Sequence, residues 1–217
     1  GITLITPYGD FNQDALSFTS DGMLGGDFTI AGWIYPTSSS GYPTLFYNGE
    51  GGGNGRIQLT VMSSSSPKIE LWSQNKVAES SSNWTLNTWQ HVAITASGST
   101  WKLYINGTEN GSGTAAASTR SDDETKLFGA ENTSAANDFV GRMKTWCIYN
   151  RALSATDIGS LADESKLPTD SSLNTSSSLK LYLPMTSNFN DSSGNSVTIN
   201  THGNPSLVSP KLGTGAY

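Results

Sequence analysis

The sequence predicts an all-β protein built as a sandwich of two antiparallel sheets. Three observations predict it. Short runs of β-branched and aromatic residues recur along the chain, turn residues separate them, and helical signals are confined to one short stretch. Composition agrees: of 217 residues only 14% are charged, 35% are hydrophobic and 23 are glycine. Few charges and many small polar residues suit a turn-rich β fold better than a helical one. A chain of this length buries a sizeable core without staples. Its single cysteine, Cys147, allows no internal disulfide and reads as a buried, inert thiol between Trp146 and Ile148.

The elements follow in order. Residues 28–35 are β-rich and stop at Pro36. Thr44–Asn48 is a short strand before a glycine-rich run, 48–55, that reads as a rim loop. That run is no phosphate loop, because no Lys-Ser/Thr and no helix follow it. Residues 56–61 and 68–72 alternate apolar with polar, the mark of half-buried strands. Residues 90–95 and 101–105 form a further pair. Asn106-Gly107 and Asn110-Gly111 are strong turn dipeptides. Residues 127–130 and 139–149 give two more strands. Ser154 can cap a short helical turn over 154–161, with Asp157 three residues on. Residues 163–178 are Ser-rich and read as a linker. In 179–185, Leu179, Leu181 and Leu183 alternate with Lys180 and Tyr182. That stretch is expected to be a strand pairing with residues 146–149.

Charge excludes some partners. The net charge is −6 and no basic run exists, which argues against nucleic acid. No apolar run approaches the ~18 residues of a membrane span, so no membrane insertion is expected.

Five stretches occur in a telling order: "GDFTIAGWIYPTS", "NTWQHVAIT", "WKLYINGT", "LFGAEN" and "DFVGRMKTWCIYNRALSATDI". Together they resemble the laminin-G-like group of concanavalin A-like jelly rolls. The resemblance implies a jelly-roll sandwich over 1–162, with Trp33, Trp89 and Trp101 anchoring the core between the sheets. The group usually begins with an apolar strand, an "N-D-S-S-G-N"-like turn and a second strand. Here that pattern stands at 179–217, beyond the linker, where it either completes this sandwich or begins the next. The sequence style also resembles repeats of phage virion and bacterial surface proteins. The resemblance therefore implies an extracellular, cell-surface or virion location.

The implied function is non-catalytic recognition of a glycan or another surface polymer. The alternative is a purely structural role in a virion, fibre or surface array, with other copies or neighbouring structural proteins as partners. Glycosidases of this fold use a carboxylate pair, whereas the 68–72 strand supplies only Glu70. His91 reads as structural. Parity points to a ligand face. Ile57, Leu59 and Val61 turn one way and Gln58 the other. Ile69 and Leu71 turn inward, so Glu70 and Trp72 turn outward, and the same logic turns Tyr104 away from the core. Gln58, Glu70, Trp72 and Tyr104 are thus expected on one open sheet face, with Tyr42 on a rim loop. Structural calcium is the cofactor the resemblance implies, at Asp21 and Asp138, although Lys144 stands where the group often has an acid. The Asp10–Asp14 stretch opens like a calcium loop, but Ala15 replaces the required glycine.

Overall fold

The computed structural model describes residues 7–20, 22–49, 56–62, 66–116, 118–119, 124–129 and 137–209. In chain order the strands are β1 (Tyr8–Asn12), β2 (Ala15–Thr19), β3 (Gly25–Gly26), β4 (Phe28–Pro36), β5 (Thr44–Asn48), β6 (Ile57–Val61) and β7 (Lys68–Trp72). There follow β8 (Lys76–Asn83), β9 (Gln90–Ser97), β10 (Thr100–Ile105), β11 (Thr108–Thr114), β12 (Ser118–Thr119), β13 (Glu124–Leu127) and β14 (Val140–Tyr149). The helix α1 (Ala155–Ala162) comes next, then a 3-10 turn (Thr175–Ser177), β15 (Leu179–Leu183), β16 (Asn200–His202) and β17 (Ser206–Val208).

The long strands form two antiparallel sheets. The first runs β11-β10-β9-β4-β14-β1-β17, and β15 also pairs with β14. The second runs β16-β2-β13-β5-β6-β7-β8, and β12 and β3 make a small separate ribbon. The inward faces share one core. Phe28 meets Trp101 edge-on at 5.2 Å, and Phe128 meets Trp146 at 5.3 Å. At one side β11 closes onto β8. A side chain at Gly111 or Gly113 would strike the carbonyls of Glu79 or Val77, so only glycine permits this approach. Asn106 and Gly107 take positive φ, as the two-residue hairpin between β10 and β11 requires. Asn110-Gly111 makes no separate turn; it lies inside β11, at a register shift opposite Leu103 and Tyr104.

The C-terminal strands pair with both sheets. Along one edge of β14, β1 pairs with residues 140–143 and β15 pairs with residues 146–149. Thr145, at φ 56, marks the break between them. β17 extends the first sheet beyond β1, and β16 extends the second beyond β2. The pairing of 179–185 with 146–149 is therefore realised within the chain.

Among the described residues, α1 and its flanks cover one end of the outer face of the first sheet. Ala31, Ala93, Tyr104, Cys147, Tyr149 and Leu179 of the sheet pack there with Ile158 and Leu161 of α1 and with Leu153 and Leu173. Ser154 caps α1 by accepting from the Asp157 N–H at 3.1 Å. The Ser-rich stretch 163–178 packs here as well. Tyr149 donates its hydroxyl to the Pro168 carbonyl at 2.7 Å, and Arg151 donates to the Leu173 carbonyl at 2.6 Å. Burial pushes the Cys147 thiol up to about 12 and raises the Tyr149 phenol, so neither ionises at ordinary pH.

Candidate functional site

The expected ligand face divides. Gln58, Glu70 and Trp72 do share the outer face of the second sheet. A cross-strand row runs Tyr47, Gln58, Trp72, Lys76, and Thr60 lies opposite Glu70 in the next row. Tyr42 is 49% exposed at the rim, and Thr60 Oγ1 donates to its carbonyl. Tyr104 does not join them. It lies on β10 in the other sheet and is only 2% exposed, because α1 and its flanks roof that end. Parity turned it away from the core correctly, but outward was not open.

The Trp72 cluster is largely self-satisfied. Glu70 is buried rather than open, and accepts from Trp72 Nε1 at 2.8 Å and from Lys76 Nζ at 3.1 Å. Lys76 also bonds Glu79 at 2.8 Å, Lys68 pairs with Glu79 at 3.3 Å, and Arg56 lies over the Trp72 ring at 5.3 Å. Glu79 is a second acid beside Glu70 that the Ser-rich β8 sequence concealed. Its hydrogen bonds from Lys76, then Lys68, hold its carboxyl below the usual range, while the bonds that Lys76 donates to Glu79 and Glu70 raise the Lys76 ammonium. A glycosidase acid needs the opposite displacement.

A different patch forms where α1 does not reach. On β4, Ile30, Gly32 and Ile34 alternate with Ala31, Trp33 and Tyr35, and the second set faces outward. Register then builds two rows. Asp10, Arg142 and Tyr35 lie side by side across β1, β14 and β4. Lys144, Trp33 and His91 lie side by side across β14, β4 and β9. Trp89, just before β9, meets Tyr35 at 5.5 Å and Tyr8 at 6.0 Å. Tyr8, Tyr35, Trp89 and Arg142 are all partly exposed. The Arg142 guanidinium sits 4.9 Å from the ring centroids of both Tyr8 and Tyr35. Lys144 lies deeper, 5.2 Å from the Trp33 ring and 5.5 Å from Trp89, and pairs with Glu164 at 2.9 Å.

Trp33 and Trp89 are therefore not core anchors between the sheets; of the three expected, only Trp101 is. Trp33 meets His91 at 5.4 Å, and burial lowers the His91 imidazole to about 3, so it is neutral. The Trp33 Nε1 and His91 Nδ1 atoms are buried without a hydrogen-bond partner. A cavity of about 160 Å³ adjoins His91, Cys147 and Tyr182. It is smaller than the roughly 300–1,000 Å³ of small-molecule pockets. A cleft of about 820 Å³ between Thr19, Asn150, Lys180 and Asn195 is polar and has no aromatic lining.

The calcium expectation gains no support from the described residues. Asp21 lies outside them. Asp138 bridges to Thr44, and among the described residues no group of three or more His, Cys, Asp or Glu could hold a metal. The Asp10–Asp14 stretch spans the end of β1 and the short turn that crosses from the first sheet to β2 in the second, where Asp14 accepts from the Asn12 N–H at 3.0 Å. Among the described residues no helix is long and apolar enough to cross a membrane.

A family model described as the concanavalin A-like lectin/glucanases superfamily matches residues 10–159. The chain belongs to this superfamily. No curated protein matches the sequence. Among solved structures, a Bacteroides ovatus protein provisionally named as carbohydrate-binding is 15% identical, with a TM-score of 0.73 over 95% of this chain and 60% of that one. The chain thus spans about 60% of that protein's length. Domain 4 of the extracellular arabinanase AbnA from Geobacillus stearothermophilus, in complex with arabinotriose, is 20% identical, with a TM-score of 0.58 over 71% of this chain and 76% of that one. The SAP-like pentraxin of Limulus polyphemus is 16% identical, with a TM-score of 0.56 over 75% of this chain and 84% of that one. At such identities the likeness is one of fold.

Proposed function

We propose that this superfamily member is a non-catalytic glycan-binding module acting outside the cell. Its contact surface is the patch of Tyr8, Tyr35 and Trp89. The observation that carries the reading is the clustering of three partly exposed rings at the uncovered end of a rigid sheet. Sugar rings present apolar C–H faces that stack on aromatic surfaces, while their hydroxyls take hydrogen bonds from polar neighbours. The names of the Bacteroides ovatus and arabinanase neighbours favour the same class of ligand. The Trp72 cluster is a weaker candidate, because its indole N–H is already bonded and an arginine lies over its ring.

Affinity electrophoresis and glycan-array binding test this reading with wild type, Trp89→Ala and Trp72→Ala. Expected are retention by at least one polysaccharide without hydrolysis products, and a loss of about tenfold or more in affinity for Trp89→Ala, which is about 1.4 kcal/mol. Trp72→Ala should bind as wild type. Binding lost with Trp72 but kept without Trp89 would move the site to the second sheet. A chain that binds no saccharide but self-associates in order would favour the structural role.

A further inference from the structure

Resting on the reading of the Tyr8–Tyr35–Trp89 patch as a glycan surface, we infer that the saccharide it takes is acidic, with its carboxylate or sulfate held by Arg142.

The guanidinium of Arg142 touches one ring on either side, at 4.9 Å each. A contact with a ring face takes up no oxygen acceptor, so the guanidinium keeps hydrogen-bonding capacity for a ligand. A planar fork of donors matches an oxyanion better than a neutral hydroxyl. Among the described residues no oxygen acceptor or carboxylate is bonded to this fork. Other basic side chains in the structure are engaged with oxygen. Lys68, Lys76, Lys102, Lys144 and Lys166 pair with carboxylates, and Arg56, Arg151 and Lys180 donate to backbone carbonyls. In a chain of net charge −6, a cation among rings with no acid partner among the described residues is a distinct feature.

Two neighbouring charges shape the site. Lys144 lies two residues along β14, and its charge is compensated by Glu164. Asp10 is directly opposite Arg142 on β1, exposed, and forms no ion pair with it. Asp10 therefore opposes an incoming anion, and its removal should strengthen acidic ligands alone.

The test compares acidic polysaccharides (pectate, alginate, hyaluronan, chondroitin sulfate) with their methyl-esterified or desulfated forms, by calorimetry at low and high salt. At low salt, wild type should bind an acidic form about tenfold more tightly than its neutral form, and salt should erase the difference. Preference for esterifiable or desulfatable ligands identifies carboxylate or sulfate as the anion. Arg142→Gln should bind the acidic and neutral forms with equal affinity, Arg142→Lys should keep part of the preference, and Asp10→Asn should increase it about two- to threefold. Melting temperatures establish that each variant is folded. Equal affinity for acidic and neutral forms would overturn the acidic ligand while leaving the aromatic patch intact. Loss of all binding in Arg142→Gln, with its fold retained, would overturn the division of labour. If no saccharide binds wild type, both readings fall.

Discussion

Each outer face of the sandwich carries a tryptophan near an arginine, yet the two neighbourhoods are held differently. On the second sheet, Arg56 lies over Trp72, the indole N–H bonds to Glu70, and Lys76 bridges Glu70 to Glu79. Charge and hydrogen-bonding capacity are spent within the protein. On the first sheet, Arg142 lies between Tyr8 and Tyr35, near Trp89, with no carboxylate bonded to it among the described residues. Its N–H donors remain available to a ligand. An exposed ring is thus not by itself a binding feature; what its neighbours already satisfy decides what it can still do.

The covered end of the first sheet gives the largest effect that can sharpen this contrast. Tyr104→Ala opens a cavity under α1 and should cost about 3 kcal/mol, close to other large buried aromatic truncations. Urea unfolding measures it, and saccharide affinity of the folded variant should not change. A changed affinity with little loss of stability would make Tyr104 a ligand contact after all.

Trp72→Ala comes next. It removes one donor from a buried carboxylate and should destabilise by about 1–3 kcal/mol, in contrast to the binding loss expected of Trp89→Ala. Equal stability losses for Trp72→Ala and Trp89→Ala would break the distinction between a satisfied face and an open one.

The smallest effect is read from pH. The folded state holds His91 neutral, with its imidazole lowered to about 3, while the unfolded chain takes up a proton below about 6.5. The unfolded state then binds more protons, so this group favours folding less as pH falls from about 6.5 toward 3. The slope is about 1.4 kcal/mol per pH unit once the unfolded histidine is protonated. Urea midpoints of wild type and His91→Gln at pH 7.5 and roughly 5.5 should differ by that dependence. Identical slopes would show that His91 is hydrated in the native state.

The sequence by itself determined much of the frame. Alternation in 56–61, 68–72 and 179–185 reflects a period of two, which any half-buried strand must show. Asn106-Gly107 dictated its hairpin because few other pairs tolerate both positive φ values. Ser154 and Asp157 marked the start of α1. Tertiary structure decided which outward side chains stay open. Parity separates core from outside, but it does not say whether a helix later in the chain will lie over that outside. Tyr104 and Trp89 were equally legible as aromatics; α1 and Leu173 bury the first, and the patch beyond their reach exposes the second. On β4 the same alternation turns Trp33 and Tyr35 outward. Their meeting with Arg142 was not readable, because sheet order brings together β1, β4 and β14, segments more than a hundred residues apart at the extremes. Likewise Glu79 became the neighbour of Glu70 only through the pairing of β7 with a serine-rich β8 that carries little strand propensity of its own.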